Sequence, residues 1–121
     1  MKTLTLPLQK KWFRLIQRGI KKEEYREIGF YWSIRFLGLI ISKKFNLIHE
    51  RFVTMQNIKD DLNNVLAIDK FDRLVFTLGY PQKDNKERRL EFKNPKIRID
   101  EGLPEWGAEP GKLYFVITWD N

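Results

Sequence analysis

Lys2-Thr3-Leu4-Thr5-Leu6 alternates polar and apolar residues, the period of a half-buried strand, and Pro7 is expected to stop it. The period then lengthens. Leu8, Trp12, Leu15 and Ile16 recur at helical spacing up to Arg18, and Gly19 stands where a helix ends on a residue of positive φ. Residues 22–28 return to the strand period, with Glu24, Arg26 and Ile28 on one face and Tyr25 on the other. A bulky stripe of Trp32, Phe36, Leu39 and Ile40 predicts a helix from Phe30 to about Ile41.

Residues 45–56 fit either period through Phe45, Leu47, Ile48, Phe52 and Val53. A further helix is expected at 58–67, where Ile58, Leu62, Val65 and Leu66 form one face behind Asn57 as N-cap. The last third is strand-rich. Leu74, Phe76 and Leu78 share a face over Arg73–Leu78. Two shorter strands, Leu90–Phe92 and Ile97–Ile99, are expected on either side of a turn at Asn94-Pro95. Leu113–Trp119 ends the pattern with Leu113, Phe115, Ile117 and Trp119 inward by parity. Loops fall at Gly79–Lys86 and Glu101–Gly111. There is no repeat, low-complexity tract or linker. The pattern predicts one α+β domain over 1–121, a mostly antiparallel sheet or small barrel flanked by helices.

Composition narrows the chemistry. The 121 residues contain no cysteine and one histidine, His49, which removes disulfides, thiolate catalysis and Cys- or His-rich metal sites. No Gly-x-Ser-x-Gly elbow accompanies that histidine, which reads as a surface or half-buried side chain. Neither a metal nor a cofactor is expected. The most apolar window, 36–41, is far short of the roughly 20 residues that span a bilayer. No targeting segment is visible, so a cytoplasmic protein without a membrane partner is the expectation.

The formal net charge is +7, and its distribution is lopsided. Residues 1–58 carry twelve basic and four acidic groups, net +8; residues 59–121 carry eleven and twelve, net −1. A basic half of this kind suits a polyanion, most simply nucleic acid, or else is a solvated face. The pairs Lys10-Lys11, Lys43-Lys44 and Arg88-Arg89 gain meaning only if the fold gathers them on one face.

Gly19, Lys21, Glu24 and Arg26 stand in the spacing Gly-x-Lys-x-x-Glu-x-Arg. This segment resembles the signature of the ASCH domains, a PUA-like superfamily of small β-barrels linked to RNA. The order of strand, amphipathic helix and motif is similar too. Glu105-Trp106-Gly107-Ala108-Glu109-Pro110-Gly111-Lys112, ahead of Tyr-Phe-Val-Ile, looks like small ASCH proteins of bacteria and their phages. The likeness covers 1–30 and 73–119 and treats about 40–70 as an inserted helical segment. It implies a cleft floored by the motif and sized for a nucleotide or base.

Within the motif, Gly19 lets the chain turn and Lys21 is a point charge for a phosphate or base carbonyl. Glu24 and Arg26, roughly 6–7 Å apart along a strand, can pair with each other or offer an acceptor and a planar donor fork. Tyr25, Trp106 and Tyr80 are candidates to stack on a base, or else pack locally; Trp12, Trp32, Phe36 and Trp119 read as core. Some ASCH proteins resemble amidohydrolases that deacylate acetylated cytidine with the motif Lys, a Thr and a distant Glu; others are ribonucleases. Here Glu24 occupies the Thr position, so the hydroxyl is missing, and Lys21, Glu24 and Glu105 are the residues left for acid–base work. Three readings follow: a module binding RNA or a modified nucleotide, an enzyme of the same fold, and an interaction domain self-associating through 36–53.

Overall fold

A computed structural model of the chain describes residues 2–37 and 71–120. The strands are β1 (Thr3–Leu8), β2 (Glu24–Glu27), β3 (Arg73–Leu78), β4 (Arg89–Glu101) and β5 (Leu113–Asp120); the helices are α1 (Lys10–Gln17) and α2 (Phe30–Leu37). Among the described residues the strands form one sheet in the order β1-β3-β4-β5-β2. β1 runs parallel to β3, whereas β3–β4 and β2–β5 are antiparallel. β1 and β2 are the two ends of this order, so the sheet is open. The closed barrel expected from the sequence does not form: β2 offers only four residues, all of them paired with β5.

The chain divides into two compact units, neither continuous in sequence. The first is 1–23, 69–95 and 118–121; the second is 24–68 and 96–117.

In the first unit Leu4, Leu6 and Leu8 of β1 are buried, as are Leu74 to Thr77 of β3. β3 is therefore covered on both faces, which a strict alternation would not require. Pro7 does not stop β1; it lies within it, opposite Thr77. The carbonyls of Lys2 and Leu8 both accept from the Asp72–Gly79 stretch, so even-numbered residues of β1 face β3. Strand period two then points the imide of Pro7 away from that ladder, where a missing N–H breaks no bond. Because Leu8 is buried in β1, α1 begins later than its spacing suggested and buries Phe13 and Ile16, not Trp12 and Leu15. Phe76 meets Trp119 edge-on at 4.9 Å between ring centroids, and Phe92 lies 5.3 Å from the same indole. Such a pair adds about 1 kcal/mol beyond the area it buries.

In the second unit Phe36 of α2 is fully buried and packs edge-on against Phe115 at 5.1 Å, with Trp32 stacked on it at 5.4 Å. Leu113 to Ile117 of β5 are all buried, again on both faces. In the first unit, the turn expected at Asn94-Pro95 does not form, because β4 runs through these two residues. Asn94 takes φ 52, its amide donates to Asp72 O, and its side chain donates to Asp120 Oδ2. Asparagine tolerates this left-handed geometry better than most residues, so the strand bends and continues.

The segment 45–56, the helix at 58–67 with its cap Asn57, the insertion at 40–70, His49, Lys43-Lys44 and all but the first two residues of the 36–53 surface lie outside the described residues.

Candidate functional site

Gly19 is where the motif begins, and a local hydrogen-bond pattern explains why glycine is needed. Arg18 caps α1, Gly19 follows at φ 73, its N–H donates to Ile16 O at 3.0 Å, and Ile20 N–H donates to Leu15 O at 2.9 Å. This paired closure satisfies the last carbonyls of the helix and requires a left-handed residue at that position. Lys21 N–H donates to Leu15 O as well, at 3.1 Å, so the backbone carrying Lys21 is tied to the helix end.

That turn folds Lys21 back along α1. Its side chain is 1% exposed, and its ammonium lies 4.3 Å from the centroid of the Trp12 ring. Trp12, expected as core, is half-buried with Lys21 and also Lys11 over its ring. A cation over an indole gains about 0.5–2 kcal/mol, depending on how far it is dehydrated. The chain therefore holds a positive charge inside the first unit.

Glu24 and Arg26 lie in β2, in the second unit. Sequence parity put them on one face, and the distance agrees: Arg26 Nη1 is 3.2 Å from Glu24 Oε2. Glu24 Oε1 accepts the N–H of Tyr25 at 2.9 Å, and Arg26 Nη1 donates to Tyr25 O at 2.9 Å. Both side chains are largely sheltered, at 5% and 17% exposure, so this pair is desolvated more than a surface ion pair. The Arg26 guanidinium lies 5.5 Å from the Trp32 ring centroid. Each motif cation thus has its own indole, a feature that periodicity hides because it reads both tryptophans as core.

Tyr25 takes the opposite face and is 8% exposed. Its ring lies 5.7 Å from that of Tyr114, in a cluster with Ala108 and Val116, and its hydroxyl accepts the N–H of Leu103 at 2.9 Å. Its face is used for packing and is not offered to a base. Trp106 is half-buried against the same cluster. Gly102 is needed here, because a Cβ would come within 2.7 Å of both the Tyr25 ring and Ala108. Glu105 stands in the one-turn 3-10 helix Pro104–Trp106 and is exposed; no hydrogen bond or ion pair links it to Glu24 or Arg26. Tyr80, the remaining stacking candidate, is 93% exposed.

Among the described residues no group of three or more His, Cys, Asp or Glu is placed to hold a metal ion. No described helix is long and apolar enough to cross a membrane. Comparison with known proteins leaves these residues to speak for themselves: no family model, no curated protein and no solved structure matches the chain.

Proposed function

We propose that this chain is a nucleotide- or RNA-binding module of the ASCH, PUA-like kind, with Lys21 as a ligand contact in the first unit and Glu24 and Arg26 as ligand contacts in the second. One observation carries the reading. The two charged side chains buried among the described residues, Lys21 and Glu24, are both members of Gly-x-Lys-x-x-Glu-x-Arg. Removing a charge from water costs free energy that packing alone does not require, and sheltered charges concentrate where a ligand is recognised. Lys21 and Arg26 would take phosphate or carbonyl oxygens, and Glu24 would accept from a base amino group. The +8 charge of residues 1–58 supports the same class of ligand.

The test is fluorescence anisotropy with single-stranded RNA across a salt series, alongside Lys21→Met and Arg26→Lys. Binding that weakens steeply with salt and in both variants is expected. No binding at low salt, or binding indifferent to both substitutions, would overturn it. Release of acetate from acetylated cytidine, abolished in Lys21→Met, would replace it with the amidohydrolase reading.

A further inference from the structure

The first unit contains a groove of about 700 Å³ that the motif does not touch. Its walls are the end of β1 with the start of α1 (Pro7 to Lys10, and Arg14), the turn after β3 (Leu78 to Tyr80), and Arg88. Three of these residues are cations, and among the described residues no carboxylate lines the groove. Lys10 and Arg14 are four apart in α1, which sets their side chains next to each other on one helix face. The first turn of α1 has no acidic residue to offset them. Arg14 spends one Nη1 hydrogen bond on Gln17, leaving further donors on its fork. Lys10 and Arg88 are exposed and make no ion pair with a described residue.

The turn after β3 makes its wall aromatic. Tyr80 is 93% exposed, the most exposed large hydrophobic residue among those described, and such exposure contributes nothing to folding. The backbone on either side of it is nonetheless tied down. Gly79 turns at φ 63, its N–H donates to Leu8 O at 3.1 Å, and its carbonyl accepts the Thr77 hydroxyl at 2.7 Å. The opposite end of that loop is pinned too: Arg89 Nη1 donates to the carbonyls of Gln82 and Asn85, at 2.6 and 2.9 Å. Of the pair Arg88-Arg89, then, one arginine shapes the loop and the other is left on the groove.

We infer that this groove binds single-stranded nucleic acid, with backbone phosphates along Lys10, Arg14 and Arg88 and one base stacked on Tyr80. Cations without described acids match a phosphate backbone, and an exposed ring carried on a hydrogen-bonded turn matches an unpaired base, whose face is free only in a single strand. A duplex keeps its base faces stacked. The volume lies within the range of pockets that enclose small ligands. None of its residues belongs to Gly-x-Lys-x-x-Glu-x-Arg, so this inference does not depend on the motif.

The test uses the full chain and a labelled oligouridylate of about 12 nucleotides, within the site sizes that such surfaces occupy. Affinity is measured between about 50 and 200 mM salt. Lys10→Gln with Arg88→Gln is expected to weaken binding about tenfold or more at the lower salt and to flatten the log–log salt slope by about 1.4, two phosphates' worth. Tyr80→Ala is expected to weaken binding about fivefold with the slope unchanged, and Tyr80→Trp to restore it. These side chains are exposed, so the variants should fold; circular dichroism and urea midpoints check that. Equal affinity for a duplex of the same length, or a salt slope unmoved by the double substitution, would overturn the groove assignment. Loss in Lys21→Met with the groove variants unaffected would overturn the groove and leave the motif reading standing. The reverse pattern would overturn the motif reading and leave the groove.

Discussion

The Lys21 ammonium lies 4.3 Å from the centroid of the Trp12 ring, nine residues earlier, because the turn at Gly19 reverses the chain onto its own helix. A buried ammonium depends on its surroundings for compensation, and the indole face supplies part of that. Trp12→Leu is expected to destabilise the protein by about 2 kcal/mol, more than its half-burial alone implies. In a double-mutant cycle with Lys21→Met, a coupling of about 0.5–2 kcal/mol should emerge from urea unfolding midpoints. Strictly additive effects would show that the ring and the ammonium do not interact energetically.

Glu24 presents the opposite sign and a different vulnerability. Its carboxylate is 5% exposed and pairs with Arg26, so deleting only the arginine leaves an ion that solvent reaches poorly. Arg26→Ala should cost about 3 kcal/mol at neutral pH, whereas Glu24→Gln with Arg26→Ala should cost less than the single change. Thermal unfolding of the three variants decides the matter. A double variant less stable than Arg26→Ala would show that the carboxylate contributes more through its other contacts, the Tyr25 N–H among them, than it costs when Arg26 is gone.

Gly102→Ala tests the packing behind β2. The added methyl would come within 2.7 Å of the Tyr25 ring and of the Ala108 side chain, neither of which can move without disturbing the cluster with Tyr114. A loss of about 1–3 kcal/mol is expected, with near-ultraviolet circular dichroism of the tyrosines altered. Ala108→Gly in the same background should recover part of it.

Lys112 gives a signature in alkali. Its ammonium donates to Glu27 Oε1 at 3.0 Å, and this hydrogen bond, opposed by slight burial and helped by the carboxylate's charge, raises its pKa above the ordinary value. A folded pKa above the unfolded one stabilises at every pH below the unfolded value, about 10.4, and that stabilisation disappears as pH rises through the folded pKa. Both side chains are solvent-exposed, so the contribution is small, about 0–1 kcal/mol. The stability difference between the native protein and Glu27→Gln should be constant from neutral pH up to about pH 9.5 and close above that range.

Much of the fold was legible where local pattern and burial agree. β3 runs from Arg73 to Leu78, where the alternation Leu74, Phe76, Leu78 places it, and the end of α1 follows from one glycine. The misread elements are those where a local signal lost to the ladder. Pro7 and Asn94-Pro95 are turn residues by habit, yet Pro7 turns its imide off the ladder and Asn94 absorbs a bend without ending β4. At the site, parity correctly paired Glu24 with Arg26. It could assign Tyr25 to a face but not reveal that Tyr114, Ala108 and Val116 cover that face. The groove was invisible for a simpler reason: Lys10, Arg14, Tyr80 and Arg88 come from stretches far apart in sequence, and only the pairing of β1 with β3 gathers them.

Pro7 has a further consequence for the molecule in concentrated solution. A terminal strand whose amides and carbonyls point outward is a template on which another chain can extend the sheet, and growth of that kind leads to fibrils. Near the end of β1, Pro7 has no N–H to give on the side turned away from β3, so no strand can pair there through an unbroken row of donors. Replacing it with valine would restore that one donor, and with it the ladder bond that proline denies to whatever lies on that side of β1.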